Sequence, residues 1–205
     1  MIYRMLHGAG IFAMALLISA GAQAQQVESA PVVDRLHAAM LGVMKKSPAA
    51  GFRERLDALA PAITETFDFP RMARTVVGRY WKDLDGSQRK TLIRVLRRFT
   101  IAKYASRIRA GSGASFRLIE VTPLDRRTTV VRTEFVANGG DPIALTYVLV
   151  NGGDGRRRIA DVLLKGAFSE LARLRSEYVS VIKRQGFDAL IRAVEGKTTR
   201  MAGGP

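Results

Sequence analysis

Apolar residues along this chain recur at helical spacing, then at strand spacing, then at helical spacing again. From Val32 to Lys46, Val33, Leu36, Met40 and Val43 or Met44 share one face of a helix that Ser47-Pro48 ends. A second helical pattern starts near Ala50, with Phe52, Leu56, Leu59 and Ile63 in register, and Pro61 is expected to divide it. Asp68-Phe69-Pro70 reads as another helix start, followed by the stripe Met72, Ala73, Val76 and Val77. Asp85-Gly86-Ser87-Gln88 has the form of a capping box, in which the acid and the glutamine satisfy free amides reciprocally. The helix it opens, from Gly86 to Arg109, carries Leu92, Val95, Leu96, Phe99 and Tyr104, and Gly111-Ser112-Gly113 stops it.

The period then changes. Phe116, Leu118 and Glu120 alternate with Arg117, Ile119 and Val121, and Thr128 to Ala137 is rich in β-branched residues. The turn Asn138-Gly139-Gly140-Asp141 leads to a strand from Ile143 to Val150, and Gly152-Gly153-Asp154-Gly155 to another from Arg157 to Leu164. Glycine-rich turns between such strands predict an antiparallel meander. Helix returns from Phe168 to Gln185 with Leu171, Leu174, Tyr178 and Val181 in register. Gly186 interrupts it, and a short helix from Phe187 to Glu195 is closed by Gly196. The expected fold is α+β, with helices packed on one face of an antiparallel sheet of about four strands.

The first residues change the setting. Met1 to Gly8 carries Arg4, Ala9 to Ala20 is apolar throughout, and Ala22-Gln23-Ala24 is the small-x-small pattern of a cleavage site. Residues 1–24 therefore read as a signal peptide cleaved before Gln25, too short in its apolar run for a spanning helix. An uncleaved N-terminal anchor is the competing reading. A polar leader (25–31), one domain (32–196) and a disordered tail (197–205) would follow, in the periplasm. No cysteine occurs anywhere, so neither a lipid-bearing cysteine nor a disulfide is expected. The hydrophobic content of 47% has to supply the stability by burial.

The net charge of +15 would point to nucleic acid in the cytoplasm. For an exported chain the anionic partner is instead a membrane surface, and no nucleic acid is expected. Arg156, Arg157 and Arg158 adjoin a glycine-rich hairpin tip and are candidates to face a membrane or an acidic partner; a solvated surface is the alternative. Catalytic chemistry is thin. His37 is the single histidine after the leader, no metal-ligand spacing appears, and neither a nucleophile elbow nor a phosphate-binding loop occurs. No enzyme, metal or cofactor is expected. The one acid to weigh is Asp161, inside the apolar strand Ile159 to Leu164, which an isomerase or dehydratase would use as a base. A solvent-facing or arginine-paired acid is the plainer reading.

The segment Phe67 to Lys82, FDFPRMARTVVGRYWK, resembles the signature region of the MlaC family of periplasmic lipid-binding proteins, also called toluene-tolerance auxiliary components. The block Gly78-Arg79-Tyr80-Trp81 is followed by the cap at Asp85 to Gln88. Further similar blocks are Tyr104-Ala105-Ser106-Arg107, Ala160-Asp161-Val162-Leu163, Gly166 and Gly186-Phe187-Asp188-Ala189-Leu190. Lys165 and Phe168 depart from the family pattern, and the Tyr104 segment with Gly111-Ser112-Gly113 looks closer to the hopanoid-associated HpnM branch. The resemblance implies a nuclear-transport-factor-2-like cone, a curved sheet and helices enclosing an apolar cavity for lipid. It also implies a hopanoid or phospholipid cargo and two partners, an inner-membrane ABC-type transporter and an outer-membrane or second membrane component. A non-carrying envelope scaffold, with a packed core, is the alternative that needs no cavity.

Alternation then nominates the lining. Val131, Thr133 and Phe135 share one strand face; Leu145, Tyr147 and Leu149 share another; Val162 and Leu164 complete the floor. From the helices come Phe69, Met72, Val76, Tyr80, Leu92, Val95, Leu96 and Phe99, with Trp81 beside Tyr80 at a rim. The same pattern would serve a dry core.

Overall fold

The computed structural model describes residues 30–45, 50–108, 113–137 and 140–203. The expected signal peptide, most of the leader, Ser47-Pro48, Gly111-Ser112 and Asn138-Gly139 lie outside them. Helix α1 covers residues 30–45, so Ala30 and Pro31 belong to a helix rather than a leader. Proline is at home there, because a first-turn amide has no partner to lose.

Next come α2 (Phe52–Thr66), α3 (Phe69–Val77), a short 3-10 helix (Gly78–Lys82) and α4 (Gly86–Arg107). Pro61 does not divide α2. It lies on the exposed side, where the carbonyl it frees belongs to exposed Asp57 and water can serve as the partner. Asp68 caps α3 by accepting from the Arg71 amide at 3.0 Å. The Asp85 box opens α4 as expected: Asp85 Oδ1 accepts from the Gln88 amide at 2.8 Å, and Gln88 Oε1 from the Asp85 amide at 3.0 Å.

The sheet is a meander of five strands, β1 (Ser115–Pro123), β2 (Thr128–Val136), β3 (Ile143–Asn151), β4 (Arg157–Leu164) and the short β5 (Phe168–Ser169), all antiparallel neighbours in chain order. The fifth strand was not expected. It takes Phe168 and Ser169 out of the helix, because Asp161 on β4 draws the chain onto the sheet edge. Ser169 Oγ donates to Asp161 Oδ2, and the amides of Val162 and Leu171 donate to Oδ1 at 2.8 and 3.0 Å. Ser169 in turn caps α5 (Glu170–Ala202).

Two bulges reset the alternation. In β1 the register shifts between Leu118 and Glu120, so Val121 opposes Val131 and packs toward the core with Phe116. In β4 the shift lies opposite Val148 and Leu149: Asp161 pairs with Val148 but Ile159 with Leu149. Beyond this bulge Ile159 and Arg157, rather than Ala160 and Arg158, continue the inward face of Leu164 and Val162. The chain between α2 and α3 docks there, the Asp68 amide donating to Ile159 O at 2.9 Å.

Helix α4 packs against α2, α3 and α5, and these cover the inner face together with α1. His37 of α1 is buried, stacked on Phe116 at 3.8 Å between ring centroids, with Nε2 2.9 Å from Tyr147 Oη. Burial lowers its pKa to about 4. Helix α5 breaks at Gly186, whose φ of 83° and ψ of 178° only glycine adopts freely. Lys197 pairs with Glu177, 20 residues back. A straight helix would hold them about 30 Å apart, so the second arm folds back along the first. That return keeps the chain ordered past Gly196: Lys197 to Ala202 is helical, not a disordered tail, and Met201 packs on the core.

Candidate functional site

The inner face of the sheet is solid at one end and hollow at the other. Between the first half of β3 and the last turns of α4 lies a cavity of about 710 Å³. Its floor is formed by Phe135, Leu145, Tyr147, Val162 and Leu164. Phe99, Thr100 and Tyr104 of α4 and Leu171 and Leu174 of α5 roof it, while Met40, Met44, Phe67 and Met72 close the inner end. Met72 and Tyr147 are buried, whereas Ile143 and the Arg107 side chain, also on the wall, are 44% and 59% exposed. The cavity therefore opens beside the start of β3 and the end of α4. Phe168, the strand partner of wall residue Leu164, stands 69% exposed nearby.

Of the nominated residues, the structure gathers Met72, Phe99, Phe135, Leu145, Tyr147, Val162 and Leu164 around this space. Phe69, Val76, Leu92, Val95, Leu96, Val131 and Leu149 do not border it; they are buried in one core cluster, where α2, α3 and α4 pack on one another. Thr133 is buried, its hydroxyl donating to Leu145 O at 3.3 Å. Tyr80 and Trp81 sit half-buried on the 3-10 helix under cations, Arg79 5.2 Å from the Tyr80 ring and Arg89 5.3 Å from the Trp81 ring, away from the cavity.

The arginine cluster is also split. Arg157, turned inward by the β4 bulge, is 6% exposed; its Nη1 donates to Arg127 O at 2.7 Å and its buried Nε has no partner among the described residues. Arg158 holds Asp154 through its two terminal guanidinium nitrogens, at 3.1 and 2.7 Å. Only Arg156 is exposed. All three lie at the far end of β3, where Arg158 pairs with Val150 and Arg157 with Asn151, more than roughly 20 Å of extended strand from the cavity opening.

Alternation missed the charged part of the wall. Lys103, Arg107, Lys165, Glu170 and Asp161 all border the cavity. Lys103 pairs with Glu170, and their side chains are only 12% and 18% exposed. Burial pulls the Lys103 ammonium below its ordinary pKa against the opposing pull of Glu170. For Glu170, burial acts upward, but the hydrogen bond and charge of Lys103, with Arg173 and Arg107, bring its carboxyl below the usual value. The signal was present for Lys103, which falls on the stripe Leu92-Leu96-Phe99 one turn further on. Glu170 carried none, because its place depends on β5.

A family model described as MlaC protein matches residues 34–195. The chain belongs to the MlaC family. A solved phospholipid-binding protein from Ralstonia solanacearum, in complex with a phospholipid, superposes with a TM-score of 0.71 at 19% identity, over 84% of this chain and 97% of that one. It shares the fold of this MlaC chain. No curated protein matches the sequence of this chain. Among the described residues no helix is long and apolar enough to cross a membrane, and no three potential ligand side chains gather as a metal site would need.

Proposed function

We infer that the protein is a periplasmic lipid carrier that holds the apolar part of one lipid in the cavity and passes it between membrane-bound partners. The observation that carries this reading is an open, apolar cavity of about 710 Å³ in a chain of the MlaC family. Each methylene removed from water is worth about 0.8 kcal/mol, so a lipid crosses an aqueous space only inside such a lining. The carrier has to match the bilayer's apolar interior, not exceed it, or delivery fails. The phospholipid bound by the Ralstonia protein supports a lipid of that kind as cargo.

Asp161 supports a carrier over an enzyme. Both carboxylate oxygens are occupied in fastening the start of α5 to β4, a structural task that accounts for the acid without proton transfer. Export with cleavage before Gln25, an ABC-type inner-membrane transporter and a second membrane component complete the proposal, with exposed Ile143 and Phe168 suited to meet a bilayer at the opening.

Protein purified from the envelope, extracted with organic solvent and measured by mass spectrometry, is expected to yield about one lipid per chain, and its N-terminus to be Gln25. It should also move labelled lipid between vesicles. A chain that yields no lipid and takes none from vesicles is not a carrier.

A further inference from the structure

The cavity wall carries an ionised pair that a neutral cargo would not use. Lys103 and Glu170 lie more than four-fifths buried on an otherwise apolar lining, a placement that costs desolvation unless a charged partner is always at hand. Glu170 is also oversubscribed: Arg107 reaches it at 3.8 Å and Arg173 at 3.5 Å. Arg173 in turn reaches Glu177 at 3.7 Å, and Lys197 pairs with Glu177 as well. Four cations thus share two carboxylates. The surplus faces the cavity, because Lys103 and Arg107 border it and Arg173 does not. Asp161, the other acid on the wall, is tied to amides and a hydroxyl.

We propose that Lys103 and Arg107 seat the phosphate of an anionic phospholipid headgroup, and that Glu170 holds that seat until the headgroup displaces it. The inference rests on the lipid-carrier reading and names the cargo class. A phosphodiester supplies the acceptor oxygens that Glu170 otherwise gives Lys103, and the released carboxylate keeps Arg173 as partner. With the phosphate near exposed Arg107, the acyl chains run inward toward Met40 and Met72. A choline headgroup would add a cation among cations, and a neutral polycyclic alcohol offers a single hydroxyl. Both are disfavoured against a headgroup such as glycerol, which leaves the phosphate's charge uncompensated.

Delipidated protein is incubated with vesicles of equal parts phosphatidylglycerol and phosphatidylcholine, re-isolated, and its lipid measured by mass spectrometry. Both lipids share one surface, so vesicle attraction cancels in their ratio. The wild type is expected to favour phosphatidylglycerol several-fold. Lys103→Met should bring the ratio near one, and Glu170→Gln, which removes the competitor, should raise it. A structural ion pair would instead move both variants in one direction, and that result, or a wild-type ratio near one, overturns the proposal. Should Lys103→Met fail to fold, Arg107→Gln, with its exposed side chain, carries the test and should lower the ratio. Uptake of both lipids without discrimination defeats only this inference; uptake of neither defeats the carrier reading itself.

Discussion

Along the inner face of the sheet, the two ends of β3 start from the same alternation and finish differently. At one end Leu149 opposes Thr129 and Ile159 and is fully buried in the core cluster. At the other, Leu145 opposes Thr133 and Leu164 and faces the cavity. A period of two reports which face a side chain points to. Whether that face meets another side chain or open space is decided by the helices above it. Here α4 leans on α2 and α3 over the first end, while its last turns stand off from the sheet over the second.

The sharpest way to break this comparison is to truncate both leucines. Leu149→Ala should cost about 2–5 kcal/mol in denaturant unfolding, the range for a cavity made in a packed core. Leu145→Ala, which enlarges a space already present, should cost about 1 kcal/mol or less and show itself in the lipid retained. Equal losses in the two variants would mean that the hollow end is as tightly packed as the solid one.

Acid probes the packing beside the cavity floor, where Tyr147 and Phe135 lie. His37 is held neutral between Phe116 and Tyr147, with its pKa lowered from 6.5 to about 4. Between those values the unfolded chain binds a proton that the folded one refuses. Stability is therefore intact above pH 6.5 and falls as pH drops toward 4, by at most about 1.4 kcal/mol per unit and about 3 kcal/mol in all. Unfolding curves of His37→Gln should lack this component of the pH dependence, against a lower stability throughout. An unchanged pH profile would mean that the imidazole is not sealed in.

The smallest effect is expected at the far hairpin. Arg156→Gln should leave stability within about 0.5 kcal/mol and weaken association with anionic vesicles only at low salt. The tip lies at the solid end, so lipid held in the cavity should not change. A marked drop in transfer would make that end a second contact surface.

The order of elements, the Asp85 cap and the break at Gly186 were legible because each rests on local chemistry. The inward faces of β2 and β3 were legible too, since no bulge interrupts their shared register. The bulge in β4 was not. It turns Arg157 inward and makes a seemingly exposed triple arginine into one exposed, one paired and one buried side chain. Pro61 misled for a related reason: whether a proline ends a helix depends on the exposure of the turn before it, which tertiary packing sets. Of the cavity, alternation could reach the apolar floor, but not Lys103 against Glu170, whose meeting depends on a two-residue strand at the sheet edge.

The size of the cavity limits how the protein can let go. A space of about 710 Å³ with an apolar lining is too large to stand empty and dry without a heavy penalty, since its walls lose their packing contacts. Departure of an occupant therefore has to coincide with arrival of something else: water drawn in at the polar opening, a second lipid, or the roof of α4 and α5 settling onto the floor. Unloading is then an exchange, and its rate depends on what stands ready at the door as much as on what leaves.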